Sequence, residues 1–471
     1  MTQDLTNDGF AERLRLVLFE VSGLYDEFDY RIPLNTDSHV TAIIAPNGSG
    51  KTLCLRLMNA LFKGDWMLLE KTSFHRAVYH FSDGTRIEAS KPQAQLELDD
   101  DEGLPTSLII KVQDRFGRQY DPWTPHQHKK RTSSFVEQYL PFLQRVGVSS
   151  WLDRRTGEQF SFHEVMNNFA DDIPSHIRRR LSSQQPEHIS RVLSQINCTL
   201  IETQRLIILN DTDDARIPGS GRELRKPQYA ISRKASTLKE IISREMNRYA
   251  ALSQSLDRTF PGRVISKAQS LPQVEIEQQL LVLDAKRREL MEVGILDIEQ
   301  DVPMALPTRQ LDPAIARVLS VYIEDNRKKL DSLDPLYERI ALFKKLIDDR
   351  FGRKDVKISK QKGLNVVYSD RDIPIETLSS GEQHQLVLFF ELLFETEKNS
   401  LILIDEPEIS LHVSWQKKFI ADLMSIIDLN KFDVVLATHS PQLIGRWGNL
   451  VVELGDVFGG DRTPDWTGAQ A

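Results

Sequence analysis

The apolar positions of this chain switch repeatedly between a strand-like and a helix-like period. From Leu14 to Val21 an apolar run mixes with alternation, Phe28–Ile32 alternates, and Val40–Ile44 is a β-branched apolar run, so three strands are predicted, the third buried. Leu53–Phe62 then reads as a helix. Ala77–Phe81 and Arg86–Ala89 flank Asp83-Gly84 as a hairpin, and Gln95–Leu98 and Ser107–Val112 read as further strands. Residues 113–195 are less regular and read as mostly helical, before the strand-like run from Cys198 to Ile207. A polar, Gly- and Pro-containing loop over 210–230 leads into a helical period. Leu238, Ile241, Ile242, Met246, Tyr249 and Leu252 recur every three to four residues, and Pro261-Gly262 is expected to interrupt that helix. Further helices are expected over Gln273–Val293 and Pro313–Phe351, without a sustained heptad. Strand text returns at Val356–Ile358 and Leu364–Tyr368. Helices over Gly381–Glu397 and Val413–Ile427 then alternate with strands Leu401–Ile404 and Val434–Ala437. The expected fold class is α/β, with a helical insertion over 210–350 between an N-terminal lobe, 1–209, and a C-terminal lobe, 351–471.

Between the strand ending at Ile44 and the helix from Leu53 lies Ala45-Pro46-Asn47-Gly48-Ser49-Gly50-Lys51-Thr52, a G-x-x-x-x-G-K-[ST] loop with Ala at its first position. Strand, glycine loop and helix in that order is the context a phosphate-binding loop requires. Asn47, Gly48, Ser49 and Gly50 would offer backbone N–H groups, Lys51 would reach the β- and γ-phosphates, and the Thr52 hydroxyl would hold Mg²⁺. The expected ligands are therefore ATP and Mg²⁺.

Three other strand or helix ends carry chemistry. Leu401–Ile404 runs into Asp405 and Glu406, which a buried strand would deliver to its C-terminal end, where open α/β sheets bind ligands. Asp405 would complete the metal's shell, and Glu406 would orient or deprotonate the attacking water. Ser379, Ser380 and Gly381 open an apolar helix. They can present a hydroxyl and free N–H groups to an anion, but by chemistry alone the ordinary serine N-cap is the favoured reading. His439, after an apolar strand, can face a γ-phosphate or a water, although taken by itself a structural histidine is the favoured reading.

Composition narrows the setting. Charged residues are 27% and the net charge is −8, so nucleic-acid binding would have to be local, at runs such as Lys129–Arg131 or Arg178–Arg180. Two isolated cysteines, Cys54 and Cys198, give neither a disulfide framework nor a zinc spacing. With no membrane-length apolar run and no signal pattern, a cytoplasmic protein is expected. Among aromatics near the loop, Tyr25 is the preferred candidate to stack on adenine, ahead of Phe19 and Phe74.

The order of phosphate loop, L-S-S-G-E-Q at 378–383, apolar-D-E-P-E at 401–408 and T-H-S-P at 438–441 resembles the ABC-type ATPase head of the SMC/RecF/OLD group. The resemblance implies an ABC-type P-loop ATPase head with a short coiled-coil-like arm, working as a homodimer or higher homo-oligomer with ATP sandwiched between heads. It implies that Ser379, Ser380 and Gly381 act in trans on the γ-phosphate. It also implies that Gln204 is the Q-loop contact to Mg²⁺ or water, that Glu408, Ser410 and His412 lie on the loop crossing the dimer seam, and that His439 is the switch histidine.

The insertion is far shorter than SMC arms, and only about thirty residues follow His439, where OLD nucleases carry a Toprim domain. A stand-alone ATPase subunit is therefore expected. It is similar to the ATPases of two-gene anti-phage systems of the PARIS and Septu types, which pair with a Toprim-like or HNH nuclease. A RecF-like repair ATPase that clamps DNA, or a nucleotide-gated scaffold with little turnover, are the alternatives, and direct binding of DNA or RNA stays open.

Overall fold

The structure is a computed structural model describing residues 13–91, 108–125, 139–146, 150–154, 159–161, 165, 169, 185–202, 207–208, 228–297 and 311–454. The chain divides into two compact units. The first comprises 1–204, 210–220 and 397–471, and the second 205–209 and 221–396.

The first unit holds two main sheets. Strands β1 (Leu16–Leu24), β2 (Phe28–Pro33), β4 (Arg76–Phe81), β5 (Arg86–Ser90) and β6 (Ile109–Gln113) form an antiparallel sheet in the order β2-β1-β4-β5-β6. The Asp83-Gly84 hairpin is present, with Gly84 at φ 88°, a conformation that suits glycine. Strands β3 (Val40–Ile44), β10 (Cys198–Ile201), β16 (Leu401–Asp405), β17 (Asp433–Thr438) and β18 (Val451–Glu453) form a parallel sheet in the order β10-β16-β17-β3-β18. All five residues of β16 are buried, as the continuous apolar run demands of a parallel strand covered on both faces. Helix α1 (Lys51–Lys63) packs against this sheet through Cys54, Leu55, Leu57, Met58 and Leu61 and shares one core with the antiparallel sheet's Phe19 and Tyr79. Helices α2 (Trp66–Lys71), α3 (Glu187–Leu193), α9 (Val413–Asn430) and α10 (Pro441–Ile444) complete the unit. Where 113–195 was expected to be mostly helical, the described part contains three short strands, β7 (Leu143–Arg145), β8 (Ser150–Asp153) and β9 (Gln159–Ser161), around a small cluster of Leu140, Leu143, Trp151 and Val165. The stretch 95–98 and the basic runs at 129–131 and 178–180 lie outside the described residues.

The second unit is built on helices α4 (Ala230–Ser266), α5 (Gln273–Glu292), α6 (Pro313–Asp331) and α7 (Asp334–Phe351). It also holds a short ladder, β11 (Ile207–Ile208) with β12 (Gln228–Tyr229), and the antiparallel sheet β13 (Lys354–Ser359), β14 (Gly363–Tyr368) and β15 (Arg371–Ile373). Helix α8 (Ser380–Phe390) follows. Two helix boundaries differ from expectation. Helix α4 runs through Pro261, whose φ is already helical. Arg263 Nη2 donates to the Leu256 carbonyl at 2.7 Å and its guanidinium pairs with Asp325 of α6, which holds that last turn in place. The helix expected over Pro313–Phe351 is two helices. The break at Ser332-Leu333 comes just before Pro335, a residue tolerated in a first turn but not in a helix interior. Residues 351–396 fall in the same unit as the helices, because β14 packs on α4 and α8 packs on α4 and α7.

Candidate active site

The parallel sheet explains how residues distant in sequence meet. Asp405 is the last residue of β16 and pairs in register with Ala437 of β17, so both strands end on one edge, next to the loop that leaves β3. Helix α1 begins at Lys51 with no side-chain cap and no acidic residue in its first turn, so its N-terminal N–H groups and positive dipole end go unanswered locally. Gly50 and Gly48 have φ of 80° and 81°, which bends the loop into a concave run of backbone amides. Ala45 at the first loop position keeps a negative φ, so its methyl group is accommodated. Tyr30 anchors the loop by donating its hydroxyl to Ser49 O at 2.8 Å. The Ser49 Oγ is buried without a hydrogen-bond partner among the described residues, an orphaned donor in a cradle suited to an anion.

Lys51 is the hub of the site. Its Nζ donates to Ala45 O at 2.8 Å, to Pro46 O at 2.9 Å and to His439 Nδ1 at 3.2 Å. An ammonium only donates, so Nδ1 is the acceptor and the imidazole proton sits on Nε2, which donates to Glu406 Oε1 at 2.8 Å. Burial pulls the Lys51 pKa below its ordinary value, against the opposing pull of Glu406, Asp405 and Glu408. Thr52 Oγ1 donates to Asp405 Oδ1 at 3.0 Å. Burial raises the Asp405 pKa; the Thr52 hydrogen bond works against this, the Glu406 charge adds to it, Arg56 opposes it and Glu202 adds to it. Thr52, Lys51, Asp405, Glu406 and His439 thus form one cluster, with hydroxyl and carboxylate oxygens of the kind that Mg²⁺ takes alongside phosphate oxygens.

Glu406 owes its direction to backbone strain. Its φ and ψ of 45° and 57° lie in the left-handed region, uncommon for a residue with a Cβ. The turn ends the strand after Asp405, while Glu406 N still donates to Ala437 O at 2.9 Å. Asp405 and Glu406 are consecutive, yet one reaches Thr52 and the other His439.

Ser379, Ser380 and Gly381 belong to the second unit. Ser379 is the N-cap of α8 in a full capping box with Glu382, and both Ser379 and Ser380 are exposed. Lys354 Nζ donates to both carboxylate oxygens of Glu382 at 2.7 and 2.8 Å, and Gln383 Nε2 donates to Glu376 O and Leu378 O, fixing the turn before the helix. Gln204 lies outside the described residues. Glu202, the residue after β10, pairs with Arg56 of α1 at 3.1 Å. Phe19 and Phe74 are core residues, whereas Tyr25 is 56% exposed. The pattern of residue types gave no signal for Tyr30 or Lys354, which act through contacts between elements far apart in the chain.

A glycine loop opening a helix, a lysine at its N-terminus, and a helix hydroxyl meeting the carboxylate at the end of a parallel strand define the P-loop class of α/β ATPase. The chain belongs to the AAA ATPase domain family, whose model matches residues 27–444. Among curated relatives, protein ea59 of Escherichia phage lambda is 29% identical over 109 residues, 23% of this chain and 20% of that protein. UvrABC system protein A of Chlamydia pneumoniae is 34% identical over 105 residues, 22% of this chain and 6% of that protein. The chain therefore spans a fifth or less of the length of these relatives. Among solved structures, the Smc head domain of Pyrococcus furiosus, with an extended coiled coil and bound to the C-terminal domain of ScpA, is 12% identical with a TM-score of 0.32, covering 94% of each chain. The SMC head domain of Thermotoga maritima is 10% identical with a TM-score of 0.30, covering 91% of each. No described helix is long and apolar enough to cross a membrane.

Proposed function

We propose that the chain is an Mg²⁺-dependent ATPase of the ABC type, whose heads pair around ATP and whose assembly state controls a partner nuclease in anti-phage defence. The observation that supports it most is the Lys51–His439–Glu406 chain of hydrogen bonds beside the Thr52–Asp405 contact. In this reading the loop amides of Asn47–Gly50 and the ammonium of Lys51 bind the β- and γ-phosphates. Thr52 and Asp405, with Gln204, hold Mg²⁺, which when bound neutralises phosphate charge. Glu406 takes the proton of the attacking water, and His439 keeps the Glu406 carboxylate aimed while its other nitrogen faces the phosphate end of the site. The exposed hydroxyls of Ser379 and Ser380 and the α8 N-terminus, completed by Gly381, serve the nucleotide held by a second copy, making the site composite. The order of motifs supports the trans arrangement.

The test has two parts. ATP hydrolysis by the purified chain should need Mg²⁺ and rise faster than linearly with protein concentration, because two heads make each site. Co-expression with the neighbouring gene should recover a nuclease in a stable complex. Turnover strictly linear in protein would remove the composite site. Stimulation by duplex DNA with no nuclease in the complex would favour the DNA-clamping alternative.

A further inference from the structure

We propose that Glu408 is a positioning residue of the hydrolytic pair, acting within its own chain by tying the backbone of His439 to the loop that carries Glu406; the inference rests on the reading of Glu406 and His439 given above. Glu408 lies in the single 3-10 turn Pro407–Ser410 that follows Glu406. One of its oxygens, Oε1, accepts from Thr438 Oγ1 at 2.7 Å and from His439 N at 2.6 Å. Thr438 Oγ1 in turn accepts from Ser440 N at 3.0 Å. Strand β17 ends at Thr438, so the next two amides have left the ladder, and a carboxylate with a hydroxyl relay receives them both. A second tie runs parallel: Ser440 Oγ donates to Gln416 Oε1 at 2.7 Å, and Gln416 Nε2 donates to Leu411 O at 3.1 Å. Both ends of the His439–Glu406 bond therefore stand on segments that Glu408 holds together.

The chemistry of the carboxylate argues for position rather than simple packing. All its bonding falls on Oε1, while Oε2 is shielded and takes no hydrogen bond among the described residues. An acceptor that gathers two donors from consecutive residues fixes the direction of the peptide plane between them, and with it the direction in which the His439 imidazole leaves the chain.

Glu408→Gln keeps an acceptor oxygen for both donors, and Glu408→Ala removes it. We expect Glu408→Ala to lower kcat by about 100-fold, the scale for a misplaced catalytic group, with KM for ATP within about twofold. Glu408→Gln should restore most of the turnover. Thr438→Val, isosteric and retaining the His439 amide, should fall between them and stands in if Glu408→Ala does not fold. The side-chain nitrogen spectrum of labelled His439, assigned by its loss in His439→Gln, should show the Nε2–H tautomer in the parent and a tautomer mixture in Glu408→Ala. If the parent shows no turnover, the proposed function fails, and this spectrum still decides the positioning role. Parent-like kcat with an unchanged spectrum in Glu408→Ala would overturn the inference, as would Glu408→Gln failing as badly as Glu408→Ala.

Discussion

His439 Nε2 lies 2.8 Å from Glu406 Oε1 while its Nδ1 accepts from Lys51 Nζ at 3.2 Å, so one neutral imidazole joins the loop lysine to the carboxylate of the neighbouring strand end. Glu406→Gln preserves a hydrogen-bonding side chain of the same length but cannot take a proton. ATP turnover should fall by at least about 100-fold, the lower end of what a general base contributes, while ATP binding is retained. The bound ATP should then accumulate in a larger species seen by light scattering. A Glu406→Gln protein that binds ATP and stays monomeric would rule out pairing around the nucleotide.

Lys51 carries the next expectation. It is almost fully buried, and its ammonium is held by two loop carbonyls, so the fold already directs a desolvated charge into the phosphate loop. Lys51→Ala leaves those carbonyls facing water that enters in place of the side chain. Nucleotide affinity should drop by about 3 kcal/mol, the loss of charge-assisted bonds to phosphate, with the thermal midpoint little changed. Calorimetric titration with ATP checks this, and retained affinity would remove the site from this loop.

The raised pKa of Asp405 makes a claim about pH. Burial is the largest cause, so the fold favours the protonated acid. Between the unfolded and the folded pKa the native state binds more protons than the unfolded chain, and stability falls as pH rises through that window. Above the folded pKa the penalty is fully present. Asp405→Asn should therefore raise the melting temperature at pH 7.5 relative to the parent and lose that advantage below the ordinary aspartate pKa. In the parent, Mg²⁺ with ATP should raise the melting temperature at pH 7.5, and the same addition should leave Asp405→Asn nearly unmoved. Thermal melts at two pH values, with and without ligand, separate these outcomes.

How much of this was legible in the chain depended on the range of the contact. The Val40–Thr52 strand and loop and the Leu401–Glu406 run declare themselves locally, because a buried parallel strand needs a continuous apolar run and a phosphate loop needs its glycines. The direction of Glu406 did not: nothing in Asp405-Glu406-Pro407 announces a left-handed residue, which the His439 contact and the Ala437 carbonyl hold in place from another strand. Helix α4 running through Pro261 was hidden for the same reason, since Arg263 and Asp325 are 62 residues apart. The serine reading of 379–381 stayed double, and the capping box with Glu382 satisfies one half of it without excluding the other.

The sheet that carries Lys354 packs on α4 through β14. Gly363 opens β14 at φ 68°, and a Cβ placed there would stand 2.1 Å from Ala235 O and 3.1 Å from Lys239 N, both backbone atoms of α4. Neither can rotate away, so β14 must retreat from the helix. Gly363→Ala should cost about 1–2 kcal/mol for the left-handed backbone and about 1–3 kcal/mol more for the overlap. Gly352 has a positive φ with ψ of −82°, and a Cβ there meets nothing within 4 Å, so Gly352→Ala should show a backbone cost with no overlap. The two variants separate strain from contact in one unit. Because β13 pairs with β14 along its whole length and presents Lys354 to Glu382, a shifted β14 should also loosen the capping box at Ser379. Denaturant titration should place Gly363→Ala well below Gly352→Ala, and hydrogen exchange at the Glu382 amide should speed up in the former only. Equal stability of the two would mean that α4 and β14 do not pack this closely, and unchanged exchange at Glu382 would detach the Ser379 capping box from the sheet beneath it.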